Sequence, residues 1–507
     1  MGIMRNAEMQ CAICVPVLRM GETMGNQGQV NAEMWDLDKL GGVDVSQCAA
    51  IMDAVYRVLE ETGCVVQNEK ALKLLADHGC AVEGQSVKIP RAVMEAAIET
   101  TPKELTIYDR LGNPAMVLKP GNTYFGPVIG TVFLWDAKSG EKRYGTAADG
   151  KRAVLACEAL PHIAWASTLA SITDRKKEIV DLYEVRTLLE NAVKPFWYWA
   201  LDINHLERQF DMFEAVCGKE ALESKPSMID LVCPMDPLQH TDNGLEQLMY
   251  LAKRNAPVVY IPGISFGVTG PVTAAANIVV GVADALVGLL VSQLTNPGAP
   301  FIAAKFTDTL NLATMAPSHS RPETNAANYA TADVFRYLGI PYCLNNGQTD
   351  CGTFDQVAAF DIATQYCIAR IAGSEMNFAI GCLESGNSAS TALLAYADFV
   401  LSYLDHALVS PKVNAETLAV DAIEKIGPGG NFMMEEDTLE HFGDFFVPDV
   451  FAPRTYEAFK SAGSRDIAAL LDEYIDDITA AGPKHPLDAA TLSELDAIIA
   501  KAEREIC

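Results

Sequence analysis

The sequence predicts an α/β protein built on a (β/α)8 TIM barrel, with an N-terminal helical cap and a C-terminal extension. Three observations predict this class. Half of the 507 residues are hydrophobic, which is enough for a large core. Eight short apolar or aromatic runs alternate with helical patterns at intervals of roughly 30 to 45 residues, the length of a strand, a helix and two loops. No strand-turn-helix unit carries the GxGxxG motif typical of the alternative, a doubly wound sheet.

Four regions follow one another along the chain. Residues 1–45 show no clear period and are predicted to form an arm, and residues 46–118 are predicted to form the helical cap. The barrel is assigned to residues 119–410. The remaining residues 411–507 are expected to form an extension that packs on the barrel.

The cap is predicted from its helix signals. Ser46 is placed to cap a first helix that stops at Gly63, and Asn68 is placed to cap a second. A short strand and then a third helix, starting at Pro90, complete the cap.

The eight predicted barrel strands are short runs bounded by turn residues and followed by helical patterns. They are TYFGPVI from Thr123, IAWASTL from Ile163, PFWYWAL from Pro195, SMIDLV from Ser227, PVVYIPG from Pro257, FIAAKF from Phe301, PYCLNN from Pro341 and NFAIG from Asn377. A long helix is predicted to begin near Ser388, after the eighth strand.

Composition excludes several classes of protein. The formal charge of −28 argues against a nucleic-acid partner, which requires a basic surface. The longest apolar run, Ile278 to Val291, contains Asp284 and is shorter than a membrane span. Thirteen scattered cysteines are typical of a reducing compartment, so we expect a cytoplasmic protein with no membrane association. A homo-oligomer is compatible with this composition.

Aromatic residues dominate the predicted strand ends, where the active site of such a barrel lies. The segment KPFWYWALD places four aromatics in a row, and strand alternation allows either Trp197 and Trp199, or Phe196 and Tyr198, to face inward. The other candidates at the strand ends are Tyr124, Trp165 and Phe266. Aromatic faces attract quaternary ammonium groups, each contributing about 0.5 to 2 kcal/mol. Core packing is the alternative role for each of these aromatics.

Polar candidates accompany the aromatics. Asp202 and Glu384 would add negative potential, and Gln348 lies at a predicted strand end. We expect no metal site, because the single CxxC, at Cys11, has no His or Cys pair at zinc spacing. The Walker and DxHxxG motifs are also absent, the second being the motif that holds the lower ligand of a cobalamin.

Several long motifs resemble the trimethylamine methyltransferase (MttB) superfamily. They are PVVYIPGISFGVTGPVTAAANIVVGVADALVGLLVSQLTNPGAP, RPETNAANYATADVFRYLGIPY, IGCLESGNSAS, IEKIGPGGNFM and APRTYEAF. The resemblance extends from about residue 46 to the C-terminus, with the motifs in the family's order and spacing. It implies a (β/α)8 barrel that moves a methyl group from an amine to the Co(I) corrinoid of a separate protein.

The resemblance also implies the substrate class. Members that act on trimethylamine carry pyrrolysine, whereas the larger group lacks it and demethylates quaternary amines such as glycine betaine, proline betaine and carnitine. This chain contains standard residues only and therefore resembles the second group. The implied partners are a quaternary amine and a cognate corrinoid protein, and the chain itself is expected to bind no cofactor.

The chain departs from the family pattern at several positions. Asn431 and Asp437 stand where members often have His, and HSRPE replaces the usual Gly-Ser before Pro-Glu. His319 and Arg321 within HSRPE are candidate partners for a substrate carboxylate, with a surface salt bridge as the alternative. Two other functions stay open: a non-catalytic betaine-binding protein, and a barrel methyltransferase that uses folate directly.

Overall fold

The computed structural model describes residues 42–311, 314–448, 450 and 455–507. The predicted N-terminal arm lies outside the described residues except for positions 42–45. The chain forms an α/β fold around a curled parallel sheet.

Seven parallel strands make up this sheet. They are Tyr124–Pro127, Phe196–Tyr198, Met228–Val232, Val258–Tyr260, Phe301–Asn311, Tyr342–Asn345 and Met376–Ile380. From the second strand onward each pairs with the next, and the last pairs in parallel with the first, whereas the first and second strands do not pair with each other. Seven of the eight predicted strands are therefore confirmed.

The remaining predicted strand, around residues 163–166, is present only as isolated bridges. Ile163 bridges Phe125 in the first strand, and Ala166 bridges Phe196 in the second. The Ala164 amide donates to Phe125 at 2.8 Å, and the Trp197 amide donates to Ala166 at 3.0 Å. Ile163 and Ala166 each bridge a different neighbouring strand, and no continuous ladder forms along the segment.

Eight helices are present around the sheet, one after each of the seven strands and one after the bridging segment. They are Ala147–Ala159, Val180–Asn191, Ile203–Cys217, Asp242–Lys253, Ala274–Thr295, Pro322–Leu338, Gln356–Ala372 and Thr391–Ala407. The last is the long helix predicted near residue 388. Their apolar faces cover the outer face of the sheet, and the core lies between the two layers and inside the curl.

The helix Ala274–Thr295 is long and apolar enough, by length and composition alone, to cross a membrane. This helix is longer than the apolar run from Ile278 to Val291 that the sequence showed. Most of it is buried within the protein: a Cβ added at Gly288 would lie 2.4 Å from the Tyr260 ring, and one added at Gly281 would lie 2.4 Å from the Lys305 side chain. These close contacts are those of a core helix packed on the sheet.

The cap contains the three predicted helices, Val45–Arg57, Glu69–Asp77 and Arg91–Thr100. Asn68 caps the second helix as predicted. The cap of the first helix is Asp44, so the prediction of Ser46 is wrong. The Asp44 carboxylate accepts the Gln47 amide at 2.8 Å, and the Ser46 hydroxyl donates to the same carboxylate.

The region before the barrel also contains short strands. Cys64–Val66, Ala81–Glu83 and Ser86–Lys88 form a small sheet with Gln239–His240, and Leu105–Tyr108 pairs with Pro114–Leu118. This region is therefore mixed α and β.

The C-terminal extension has two parts. Its final helices, Ile467–Thr479 and Ala489–Ile506, pack against the helices around the sheet. Ion pairs reinforce this packing, including Arg152 with Asp472 at 3.0 Å and Arg208 with Glu505 at 2.7 Å. The part before them contains the short helices Val420–Ile426, Glu436–His441 and Tyr456–Ser461.

Candidate active site

The aromatic strand Phe196–Tyr198 has two distinct faces. Phe196 and Tyr198 contact Phe213 of the helix Ile203–Cys217, with ring centroids 5.9 and 5.1 Å away. They therefore face the outer helical layer. Because side chains alternate along a strand, Trp197 faces the inside of the curled sheet, and Trp199 follows just after the end of the strand.

A stack of three aromatic rings fills the inside of the sheet. The Trp197 ring lies 5.4 Å from Trp165 on one side and 5.4 Å from Phe378 on the other, nearly parallel to both. Gly126 contacts Trp165 so closely that a Cβ on the glycine would lie 2.0 Å from the ring. Both faces of Trp197 are thus covered, so the stack forms an apolar floor, and a cation would have to bind above it.

Trp199 stands at the C-terminal end of its strand and is half-buried. Its indole Nε1 donates to the Glu184 carboxylate at 3.0 Å, and Gly130 lies beside the same nitrogen. Glu184 also accepts the Ile172 amide. Burial raises the pKa of Glu184 to about 8, although these hydrogen bonds lower it. A cation next to Trp199 would favour the ionised carboxylate.

A second aromatic contact lies at the carboxyl ends of the strands, here called the mouth of the sheet. The side chain of Lys305 contacts Gly281 of the outer helix Ala274–Thr295, so the next residue, Phe306, faces inward. The buried His319 ring lies 4.4 Å from the Phe306 ring at a steep angle. His319 Nε2 donates to the Ser385 carbonyl at 3.1 Å. Burial lowers the pKa of His319, against the charges of Asp308 and Asp350, which raise it. A neutral imidazole is therefore expected near pH 7.

Asp350 ties together three loops at this mouth. Its carboxylate accepts the Ser318 and Ser320 hydroxyls, the His319 amide at 2.8 Å and the Ser385 hydroxyl at 2.8 Å. The pKa of Asp350 lies below its usual value, because these hydrogen bonds outweigh the opposing effect of burial. An ionised Asp350 therefore fixes the backbone on either side of His319.

Gln348 is buried beside Asn345, which faces inward at the end of its strand. The Gln348 amide donates to Asn345 Oδ1 at 3.0 Å, and the Gln348 carbonyl accepts from Gln365 at 2.7 Å. The Asn345 side-chain nitrogen has no hydrogen-bond partner among the described residues. It is a buried donor at the end of this strand.

The structure gives two predicted residues other positions. Tyr124 is the first residue of its strand, at the end opposite the mouth, and its hydroxyl accepts the Val117 amide at 3.0 Å. Asp202 caps the helix Ile203–Cys217, accepting the Asn204 amide at 2.8 Å and the His205 amide at 3.1 Å. Both side chains take part in structural contacts, and their assignment to the substrate site stays a prediction.

Three more predicted residues lie at the periphery. Glu384 forms an ion pair with Lys142 at 2.6 Å and accepts the Ser388 hydroxyl, so its charge is directed to the surface. Arg321 is exposed just before the helix Pro322–Leu338, and no hydrogen bond or ion pair joins it to His319 within the described residues. Phe266 is half-buried in the strand Gly263–Phe266, paired with the outer part of Phe301–Asn311.

The sequence-based candidates omitted four residues that the structure places at the floor or the mouth: Glu184, Phe306, Asn345 and Phe378. Phe306 and Phe378 lie in predicted strands, so strand alternation could have indicated them. Glu184 comes from a helix and carries no local signal, since its role depends on contact with Trp199.

These features define the class of the protein: it is an α/β protein with a curled parallel sheet whose strand ends form an aromatic-lined mouth. The trimethylamine methyltransferase (MTTB) family matches residues 25–507. The chain therefore belongs to the trimethylamine methyltransferase family and is a methyltransferase.

Individual relatives are distant but cover most of the chain. The trimethylamine methyltransferase MttB2 of Methanosarcina mazei is 26% identical over 478 residues, covering 92% of this chain and 97% of the relative. A glycine betaine methyltransferase of Desulfitobacterium hafniense is 26% identical over 432 residues, covering 83% and 89%. The solved monomethylamine methyltransferase MtmB of Methanosarcina barkeri covers 94% of this chain and 95% of its own, with 11% identity and a TM-score of 0.45.

Proposed function

We propose that this methyltransferase transfers a methyl group from a quaternary amine to the Co(I) of a separate corrinoid protein. Glycine betaine or a related betaine, such as proline betaine or carnitine, is the proposed substrate class. Two facts support the choice of a quaternary amine. A glycine betaine methyltransferase is among the relatives, and the chain contains standard residues only.

The observation that carries the proposal is the mouth above the aromatic floor. Trp199 lies beside a buried carboxylate, and Phe306 lies against a buried histidine. A quaternary ammonium has no N–H to donate, so it is bound through aromatic faces and diffuse negative potential rather than through hydrogen bonds. Trp199 with Glu184 offers both, and the Asn345 amide offers a donor for a substrate carboxylate.

The reaction requires this chain mainly to bind and orient the substrate. A quaternary nitrogen is already cationic and leaves as a neutral tertiary amine, so no proton has to be supplied. The partner's Co(I) supplies the nucleophile. This chain's residues hold the ammonium over the floor, direct one methyl group outward and exclude water, which supplies proximity and desolvation.

We further propose that the seven strands and the bridging segment at residues 163–166 together make a closed (β/α)8 barrel. The hydrogen bonds from that segment to both adjacent strands support this arrangement. The partner would dock on the mouth, across the loops around residues 318–320 and 346–354, which Asp350 holds together. The chain would bind no cofactor of its own and would act in the cytoplasm.

The experiment combines the purified chain, a reduced corrinoid protein and each betaine, with the Co(I) absorbance followed over time. We expect betaine binding by the chain alone, without release of tertiary amine. With the corrinoid protein, we expect loss of the Co(I) spectrum and one equivalent of tertiary amine per cobalt. Chelators should have no effect.

The matched control is trimethylamine, which has the same three N-methyl groups as glycine betaine but is a tertiary amine. Faster turnover of trimethylamine than of any betaine would contradict the substrate class. Binding without transfer would favour a betaine-binding protein, and methyl transfer to a folate in the absence of the corrinoid protein would favour the folate enzyme. Either result would overturn the proposal.

A further inference from the structure

The segment between Ser410 and Asp466, here called the C-terminal arm, contacts the rest of the described chain only locally, around Phe446 and Val450. None of its described residues is buried, whereas residues immediately before and after it, such as Leu404 and Ala468, are. It carries many large apolar side chains that face solvent. They are Val413, Leu418, Val420, Ile423, Phe432, Met433, Met434, Leu439, Phe442, Phe445, Val447, Tyr456 and Phe459.

The exposed area of the arm is large. Phe442, Phe445 and Tyr456 are 71%, 72% and 68% exposed. At about 200 Å² for each aromatic side chain, these three alone leave roughly 400 Å² uncovered. For comparison, the largest contiguous apolar patch of a typical monomer is about 300–600 Å². With the other ten side chains the arm reaches the order of the 800 Å² that each partner contributes to a stable protein interface.

The arm lies away from the mouth. It follows the helix Thr391–Ala407, which runs back from the mouth because a helix after a parallel strand is antiparallel to that strand. Within the arm, the Phe446 ring contacts the second half of this helix, 4.7 Å from His406 and 6.2 Å from Phe399. A corrinoid protein docked at the mouth would therefore leave the arm uncovered.

The same chain carries an apolar groove with no occupant among the described residues. It has a volume of about 360 Å³ and lies between the helices Pro322–Leu338 and Gln356–Ala372. Tyr329, Ile368 and Ile371 line it, and Phe360 on its edge is 68% exposed. A protruding apolar arm and an unfilled apolar groove on one chain are complementary surfaces, and each copy of the chain brings both.

We propose that the arm of one copy docks in the groove of a second copy, and that two copies exchange arms reciprocally. The net charge of −28 opposes association at long range, so burial of apolar area must supply the affinity. The arm does not contribute to the mouth, and the groove reaches the mouth only at one end, through Ser320 and Gln365.

The test measures the mass of the full chain by sedimentation over a range of concentrations. We expect the wild type to be a dimer or a larger assembly. Phe360→Asp in the groove, and the double variant Phe442→Asp/Phe445→Asp in the arm, should each raise the dissociation constant at least about thirtyfold, the effect of losing central aromatic anchors. The control Leu111→Asp, at an exposed apolar position on another face, should leave the mass unchanged.

Mixing the two variants sharpens the test. A mixed pair keeps one intact arm and one intact groove that face each other, so we expect association to be partly restored. Far-UV circular dichroism checks that each variant is folded. A monomeric wild type, an assembly insensitive to Phe360→Asp, or a mixture that stays monomeric would each overturn the arrangement. So would a monomer whose arm binds only the corrinoid protein.

Discussion

The substitution Gly126→Ala tests the aromatic floor directly. The added Cβ would lie 2.0 Å from Trp165 Cε2 and 2.3 Å from Cδ2. Ordinary carbon contacts lie at about 3.5–4.0 Å, so the ring would have to move by roughly 1.5 Å. It cannot move freely, because Trp197 lies on its other face and Phe378 lies beyond Trp197.

We therefore expect the variant to lose about 3 kcal/mol of unfolding free energy, at the upper end of the usual cost of overpacking a core. Urea unfolding measures this loss, and near-UV circular dichroism reports the disturbed indole stack. Gly352→Ala is the matched control, since its Cβ would have no atom within 4 Å. An unchanged urea midpoint and an unchanged near-UV spectrum for Gly126→Ala would refute the tight stack.

Three further predictions concern the mouth and the pH response. Trp199→Ala should weaken betaine binding in calorimetry by about 1–2 kcal/mol, through the lost aromatic face, whereas Tyr124→Phe should leave the affinity unchanged; equal affinities would place Trp199 outside the site. Asp350→Ala should make the loop at residues 318–320 exchange amide hydrogens faster, because it removes hydrogen bonds from three loops, and unchanged protection there would contradict this role. Burial raises the pKa of Glu184 to about 8 and of Glu375 to about 7, so between pH 4.5 and these values the folded chain keeps protons that the unfolded chain releases. The contribution of these two groups to stability should therefore be greatest at pH 4.5 and below. It should fall as pH rises toward 8, by up to about 1.4 kcal/mol per pH unit for each group. Thermal melts of Glu184→Gln should show a shallower slope, and an identical slope would mean that Glu184 ionises normally.

The periodicity of the sequence was sufficient to predict most of the sheet. Seven predicted strands are present, because short β-branched and aromatic runs between helical patterns specify a parallel sheet through local pattern alone. The run at Ile163 is the exception. It also looks like a strand in sequence, but it lies between two edges of the sheet and pairs with each of them only through isolated bridges. The helix caps show the same limit at short range, since Asp44 and Ser46 are equally good capping residues by type.

The site depended on contacts that no local pattern contains. Alternation reduced the four aromatics of KPFWYWALD to two pairs, and the contacts of Phe196 and Tyr198 with Phe213 of the outer helical layer showed that Trp197 faces inward. The sequence by itself determined the family, the parallel sheet and the abundance of aromatics at the strand ends. Only the tertiary structure decided that Trp197 is covered on both faces, that Glu184 meets Trp199, and that Asp202 caps a helix. The physical reason is that periodicity fixes which side of an element a residue faces, whereas burial and partners depend on what the rest of the chain packs against that side.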